Sequence, residues 1–381
     1  MALMPGIIDR YILVMFFKVL AITFVSLTGL YIVIDAFANL EEFIDHGENN
    51  GGMLRVLADY YGPRALQFFD RMGGVVVLLS AIFAVTSLIR TNELTAVMAG
   101  GISKGRLIKP LIFAAVSISM LGIINREMWI PQVRDKLARN AQDLGGERTK
   151  TLRPTYDYHT DVFIGGRQTV AARQQILGAY FRLPPAMSQF GSQIVADSAT
   201  YQSRNDDHAS GYLLENVTTP ADVSVQQSIA LDGKPVIVTP RDAPWLGPRQ
   251  CFVVTDVSFD QLSGGNYWRQ LGSTRELIAN LRNPSLDLGN DARVVLHARV
   301  VQPLLDLTLF VLGLPIVLGQ NNRNLFVAAG MSLAMIAGFF IVVITCHALG
   351  SNYLLTPAFS AWLPLMIFSP AAYATAVPLW R

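Results

Sequence analysis

RTNELTAVMAGGISKGRLIKP, residues 90–110, decides how the rest of the chain is read. It lies between two charge-free apolar runs, Met72–Ile89 and Leu111–Asn125. Each is close to the roughly 20 residues that one bilayer crossing takes. The polar piece therefore joins two membrane helices. Thr91 or Asn92 can cap a short helix whose first turn carries Glu93, where a negative charge suits the helix dipole. Leu94, Val97 and Met98 share one side at helical spacing. Gly100-Gly101 supplies the stop and Ser103 the next cap. The pattern predicts an amphipathic helix over residues 91–100, lying along the membrane surface. A tight turn that only reverses the chain and a docking helix that takes force from a soluble partner both fit these residues.

Composition agrees with a membrane protein carrying a polar insert. Only 15% of residues are charged, against about 25% in soluble domains, and the mean hydropathy is +0.37. The net charge of +2 says little about partners. Cys251 falls in a polar region and Cys346 in an apolar one, so no disulfide is expected between them. The first apolar run continues to Asn39 without a small-residue cleavage site, which reads as a retained helix.

Six apolar spans follow from this reading: Tyr11–Ala38, Met72–Ile89, Leu111–Trp129, Val300–Leu318, Leu325–His347 and Pro357–Leu379. Glu41–Asp59 is acidic and carries an Asn-Asn-Gly-Gly loop signal, and Pro131–Asp143 is polar and helix-compatible. From Thr149 to Asp287 the apolar runs become short and β-rich. Asp161–Ala172 reads as a hairpin around Gly165-Gly166. Gln193–Gln202 and Gly211–Val217 flank Asn205-Asp206-Asp207, while Ser224–Leu231 and Pro235–Thr239 flank Asp232-Gly233. Cys251–Phe259 is a further strand and Thr274–Leu281 a short helix. The expected fold is an α-helical membrane protein of six transmembrane helices, with an antiparallel sandwich or jelly roll inserted between the third and fourth. The expected divisions are 1–130, 131–296 and 297–381.

Basic residues in short loops set the orientation. Arg90, Lys104, Arg106, Lys109 and Arg323, with Arg10 and Arg381 near the ends, share one side of a six-span arrangement. The opposite loop has Arg55 against Glu41, Glu42, Asp45, Glu48 and Asp59. Both termini are therefore expected in the cytoplasm and the β-rich insert outside.

Chemistry-bearing motifs are scarce. Neither a G-x-x-x-x-G-K-[ST] phosphate loop, a G-x-S-x-G nor an H-E-x-x-H occurs, and His46, His159, His208, His297 and His347 are scattered. No catalytic residue, metal, cofactor or nucleic acid is expected. Asp306 lies within a span, where a central acid costs about 2.5–3.5 kcal/mol on insertion scales. Six or so apolar neighbours at about 0.3–0.6 kcal/mol each offset that. It either faces a polar cavity, pairs with Arg299, or stays hydrated near the interface. Lys18 and Asp35 stand near opposite ends of the first span, where long side chains snorkel to headgroups.

Taken in order, the motifs resemble the LptF/LptG (YjgP/YjgQ) permeases. NELTAVMAGGISKGRLIKP is similar to that family's acid, short apolar helix and basic approach to the third span. LHARVVQP, with Arg299 and Pro303, resembles the approach to the fourth, and Asn125–Pro131 the exit from the third. LTPAFSAWLPLMIF resembles the sixth-span motif through Pro357, Ala361, Trp362 and Pro364. The resemblance implies an inner-membrane subunit that extracts lipopolysaccharide and passes it to a periplasmic bridge. It implies a separate LptB-like ATPase dimer, a second LptF/LptG-type subunit and LptC/LptA-like jelly-roll proteins as partners. Glu93 would meet a base in the ATPase groove, where Leu94, Val97 and Met98 would pack. Gly100, Ser103 and Arg106 would shape the same coupling surface. The first and fifth spans would act as lateral gates, and Lys18, Asp35, Arg64, Arg71, Arg299 and Asp306 would lie along the lipid path. Lys18 is the one base within the first span, so phosphate contacts near the outer surface would fall to Arg55, Arg64 or Arg71. An ABC subunit that moves a periplasmic domain without carrying lipid is the competing reading.

Overall fold

Among the described residues of a computed structural model, six helices are long and apolar enough to cross a membrane. The structure describes residues 6–49, 51–145, 149–205, 208–231, 233–263, 267–318 and 325–380. Contacts divide the chain into two units, Met1–Val133 with Gly289–Arg381, and Arg134–Leu288.

The first unit opens with α1, Ile7–Ala38, and a short helix α2, Leu40–Asn49. Next comes α3, Met53–Arg90, a single helix of 38 residues with Pro63 inside it. The stretch Glu41–Asp59, read from sequence as a loop, is therefore mostly helical. Its acids disguise an apolar stripe through Leu40, Phe43 and Ile44, at the i, i+3, i+4 spacing of one helix face. Phe43 is fully buried and packs on Tyr60 and Tyr61 with ring centroids 5.1 and 5.8 Å away. The organising stretch forms α4, Glu93–Ala99, followed by α5, Lys104–Ile124. A π-helical turn, Asn125–Trp129, ends the third span, and a further turn, α6 (Ile130–Gln132), follows it. The last three spans are α11 (Gly289–Leu318), α12 (Leu325–Ser351) and α13 (Pro357–Trp380). Residues 319–324 and 381, which include Arg323 and Arg381, lie outside the described residues. The core of this unit gathers Ile12 and Phe16 from α1, Leu78 and Ile82 from α3, Leu111 from α5 and Phe310 from α11. Gly313 lies flat against Leu78, where a β-carbon would collide.

The second unit starts with α7, Arg134–Leu137, and carries ten strands among the described residues. They are β1 (Thr149–Thr151), β2 (Thr155–Asp157), β3 (Val162–Gly165), β4 (Gln168–Val170), β5 (Gln175–Arg182), β6 (Gln193–Gln202), β7 (Gly211–Thr219), β8 (Ile229–Leu231), β9 (Lys234–Val238) and β10 (Cys251–Val254). Three short helices follow, α8 (Phe259–Leu262), α9 (Tyr267–Leu271) and α10 (Thr274–Leu281). Every pairing is antiparallel, and the order is β1-β4-β5-β6-β7-β10-β9-β8, with β2 on β3 and β3 on β5.

Two sequence expectations change here. Gly165-Gly166 does not turn a hairpin: β3 and β4 both pair with β5, Gly165 opposite Tyr180 and Gln168 opposite Leu177. The glycines interrupt one long edge. Side chains at Gly165 and Gly166 would run into Tyr180 and Ile176. The strand expected over Cys251–Phe259 stops at Val254, because Phe259 already opens a helix. The turns after β6 and before β9 are real in pairing, although Asp206, Asp207 and Asp232 lie outside the described residues.

The sheet is rolled. Five strand spacings separate β2 from β10, about 24 Å if flat. Yet the Thr255 hydroxyl donates to Asp157 Oδ2 at 2.6 Å. The roll encloses Ile164, Ile176, Phe181, Ile194, Tyr212, Leu214, Ile237 and Cys251. Burial pushes the Cys251 thiol up to about 12, and both cysteines are free and buried.

Candidate functional site

The turn between the second and third spans begins with Asn92, which adopts the left-handed conformation at φ 58°. Neither Thr91 nor Asn92 caps α4 through its side chain. The Thr91 hydroxyl instead donates back to Ser87 and Leu88 carbonyls at the end of α3. Ser103 likewise precedes α5 without a side-chain cap bond. The stop falls at Gly101, whose φ of +78° suits glycine.

The expected contact face of α4 is divided. Leu94 is buried in the bundle's own core, and Val97 and Ile102 pack against the same cluster. Met98 is exposed, with Thr95, Ala96 and Ala99 beside it. Helical periodicity identified the stripe but not what it packs on. Leu94 ties α4 to the bundle's own core. Glu93 is half-exposed, and its Oε2 accepts from the Tyr11 hydroxyl at 2.7 Å. Arg90, Arg106 and Lys109 are exposed around this end, and Arg106 reaches the neighbourhood of Gly6 at the start of α1.

At the other end of the bundle, α1, α2 and α3 build an aromatic cluster. Tyr31 stacks on Phe68 at 6.2 Å, and Tyr61 meets Tyr31 and Tyr60 edge-on. Asp35 accepts from the Tyr61 hydroxyl at 2.7 Å. Arg64 lies 3.3 Å above the Tyr60 ring and donates to its carbonyl. Tyr31 stands within charge range of Asp35, Arg64 and Arg71. The structure thus brings together three of the residues expected on the lipid path. Lys18 is exposed in the first half of α1 and apart from them.

Asp306 and Arg299 belong elsewhere, on α11. Asp306 lines a cleft between α3, α5 and α11, with Asp70, Gly73, Ser119, Arg126 and Gln302. It accepts from Gln302 Nε2 at 2.9 Å. Room for it exists because Gly74 has no side chain: a β-carbon there would sit 2.5 Å from Asp306 Oδ1. A polar cleft around Asp306 is one of the alternatives left open by sequence. Arg126 and Asp70 form an ion pair at 2.8 Å in the same cleft. The adjacent Asn125 is fully buried and donates to the Leu66 carbonyl at 2.9 Å. Sequence reasoning missed the Arg126–Asp70 pair, although an acid and a base at matching depth in neighbouring spans was the available signal. The π turn carries Arg126 at the point where the helix widens.

In the second unit, Arg134 sits between Asp260 at 3.9 Å and Glu276 at 3.7 Å. Burial raises the Asp260 carboxyl above its usual range, and Arg134 opposes that. Among the described residues, no cluster of three or more His, Cys, Asp or Glu side chains has the arrangement of a metal site.

Six long apolar helices, a polar cleft among them and a rolled antiparallel insert define a multi-pass membrane protein with a β domain. A family model described as lipopolysaccharide export system permease LptF/LptG matches residues 10–377. The chain belongs to that family, and is therefore a multi-pass inner membrane protein of lipopolysaccharide export. No curated protein matches it.

Proposed function

We propose that this chain is one membrane half of an ATP-driven transporter that extracts lipopolysaccharide from the inner membrane. In this reading residues 1–130 and 297–381 supply the membrane half, and 131–296 form a periplasmic domain that receives the lipid. Both termini and α4 face the cytoplasm, in keeping with Arg90, Lys104, Arg106 and Lys109 around that turn. Hydrolysis belongs to a separate LptB-like ATPase dimer. A second LptF/LptG-type subunit faces α1 and α12, whose exposed apolar residues include Val25, Val33, Ile341 and Ile344. LptC/LptA-like proteins take the lipid onward.

One observation carries the reading. α4 is anchored by Leu94 on one side and presents Glu93 and Met98 on the other, so a push on it is delivered to the bundle's core. Gly100 and Gly101 end it sharply, while Ser103 and Arg106 start the next span. Asp35, Arg64 and Arg71 around Tyr31 give the lipid path a polar, aromatic station at headgroup depth. Asp306 and Arg299 are assigned to the fourth span's side of that path, and Lys18 to its cytoplasmic end.

Glu93→Lys tests the role of α4. The variant should insert at the wild-type level, lose co-purification with the ATPase, and release no lipid. Co-purification at wild-type yield would count against docking. Photocrosslinking of lipid A to probes in α1 and α12 separates carriage of lipid from movement of the β domain alone.

A further inference from the structure

We propose that Tyr11 carries the state of Glu93 into α1, so that the foot of the first span is a second output of α4. The inference rests on the docking role given to Glu93 above. The Tyr11 hydroxyl and Glu93 Oε2 meet at 2.7 Å across 82 residues of chain. Tyr11 is 50% exposed, so water could satisfy its hydroxyl and the bond adds little to folding. Its value lies in where it stands. One turn of packing lies beneath it: Ile12 and Phe16 are buried in the core that also holds Leu94, and Ile8 and Val97 pack against it.

Glu93 has two oxygens. A guanidinium arriving in fork geometry donates to both of them. Each oxygen keeps a second lone pair, but the cation competes for Oε2 and draws its charge away, which weakens the Tyr11 bond at the moment of docking. At the far end of α1 the arrangement repeats, with the Tyr61 hydroxyl on Asp35 at 2.7 Å. α1 is thus tied to α4 near its beginning and to α3 near its end by one hydroxyl–carboxylate bond each. Weakening the first and keeping the second lets α1 swing about its far end. The exposed row of Val14, Phe17, Val25 and Val33 along α1 moves with it. Tyr11 is a positioning residue in this scheme, since it touches neither ATP nor lipid.

The test uses the full transporter, reconstituted in proteoliposomes containing lipopolysaccharide. Lipid released and ATP hydrolysed are measured together, and their ratio is the readout. Tyr11→Phe should lower that ratio by about threefold to tenfold, the range of a typical net hydrogen bond. A merely structural fault would lower both quantities and leave the ratio unchanged, which would overturn the proposal. Adding Tyr11→Phe to Glu93→Gln should have no further effect; defects that multiply would also overturn it. If Glu93→Gln itself is silent, the docking role falls and this inference with it. If Glu93→Gln is defective while Tyr11→Phe is silent, this inference alone falls.

Discussion

Asp157 shows how much one buried side chain can hold. Its Oδ1 accepts from the amides of His159 and Thr160 at 2.9 and 3.3 Å, and its Oδ2 from Thr255. The Thr255 hydroxyl in turn accepts from the Val257 amide. Asp157→Ala leaves those donors without an acceptor, at a cost of about 2–4 kcal/mol. Cys251 provides the measurement, because its thiol is buried and reacts only when the roll opens. In a Cys346→Ala background, alkylation of Cys251 should quicken roughly 30-fold or more in the Asp157→Ala variant. An unchanged rate would show that the roll closes without this residue. Nothing in Thr155–Thr160 announces such a role. The partner stands 98 residues away.

Among the elements, the junction of α3, α5 and α11 is the most exposed to error. Arg126 and Asp70 are largely buried, with side chains 18% and 16% exposed. Removing one member of such a pair costs about 3–5 kcal/mol, because the other is left charged in an apolar setting. Arg126→Ala should therefore cut the yield and lower the melting temperature in detergent. Arg126→Ala combined with Asp70→Asn should recover most of the loss. Failure of the double variant to recover would mean that Arg126 acts chiefly through another group. The elements also show where sequence is legible. The bilayer demands long apolar runs, so the spans announce themselves. α4 was readable as a helix from its spacing, but a seven-residue helix has no spacing signal for which neighbour receives its stripe. α2 was hidden by four acidic side chains around three apolar ones. Gly165-Gly166 looked like a turn because glycine pairs usually are, and only the shared register on β5 shows an interruption instead.

At the scale of the whole molecule the proposal assigns opposite sides of the membrane to two segments. Cysteine placed at Lys104 should react with an impermeant reagent only from the cytoplasmic side, and cysteine at Arg173 only from the periplasmic side. Labelling of both from one side would undo the topology. The family was legible from sequence because its motifs are fixed by the membrane and by the turn after α3; the polar cleft was not, because it depends on which helix faces which. α3 has a further consequence. Its 38 residues run from Met53, past the Tyr60–Tyr61 cluster and Pro63, to the residue before Thr91. At 1.5 Å per residue that is a lever of about 57 Å. A tilt of one degree at its α4 end becomes a shift of about 1 Å at the other. Amplification on that scale comes from length and stiffness alone, and asks for no additional moving part.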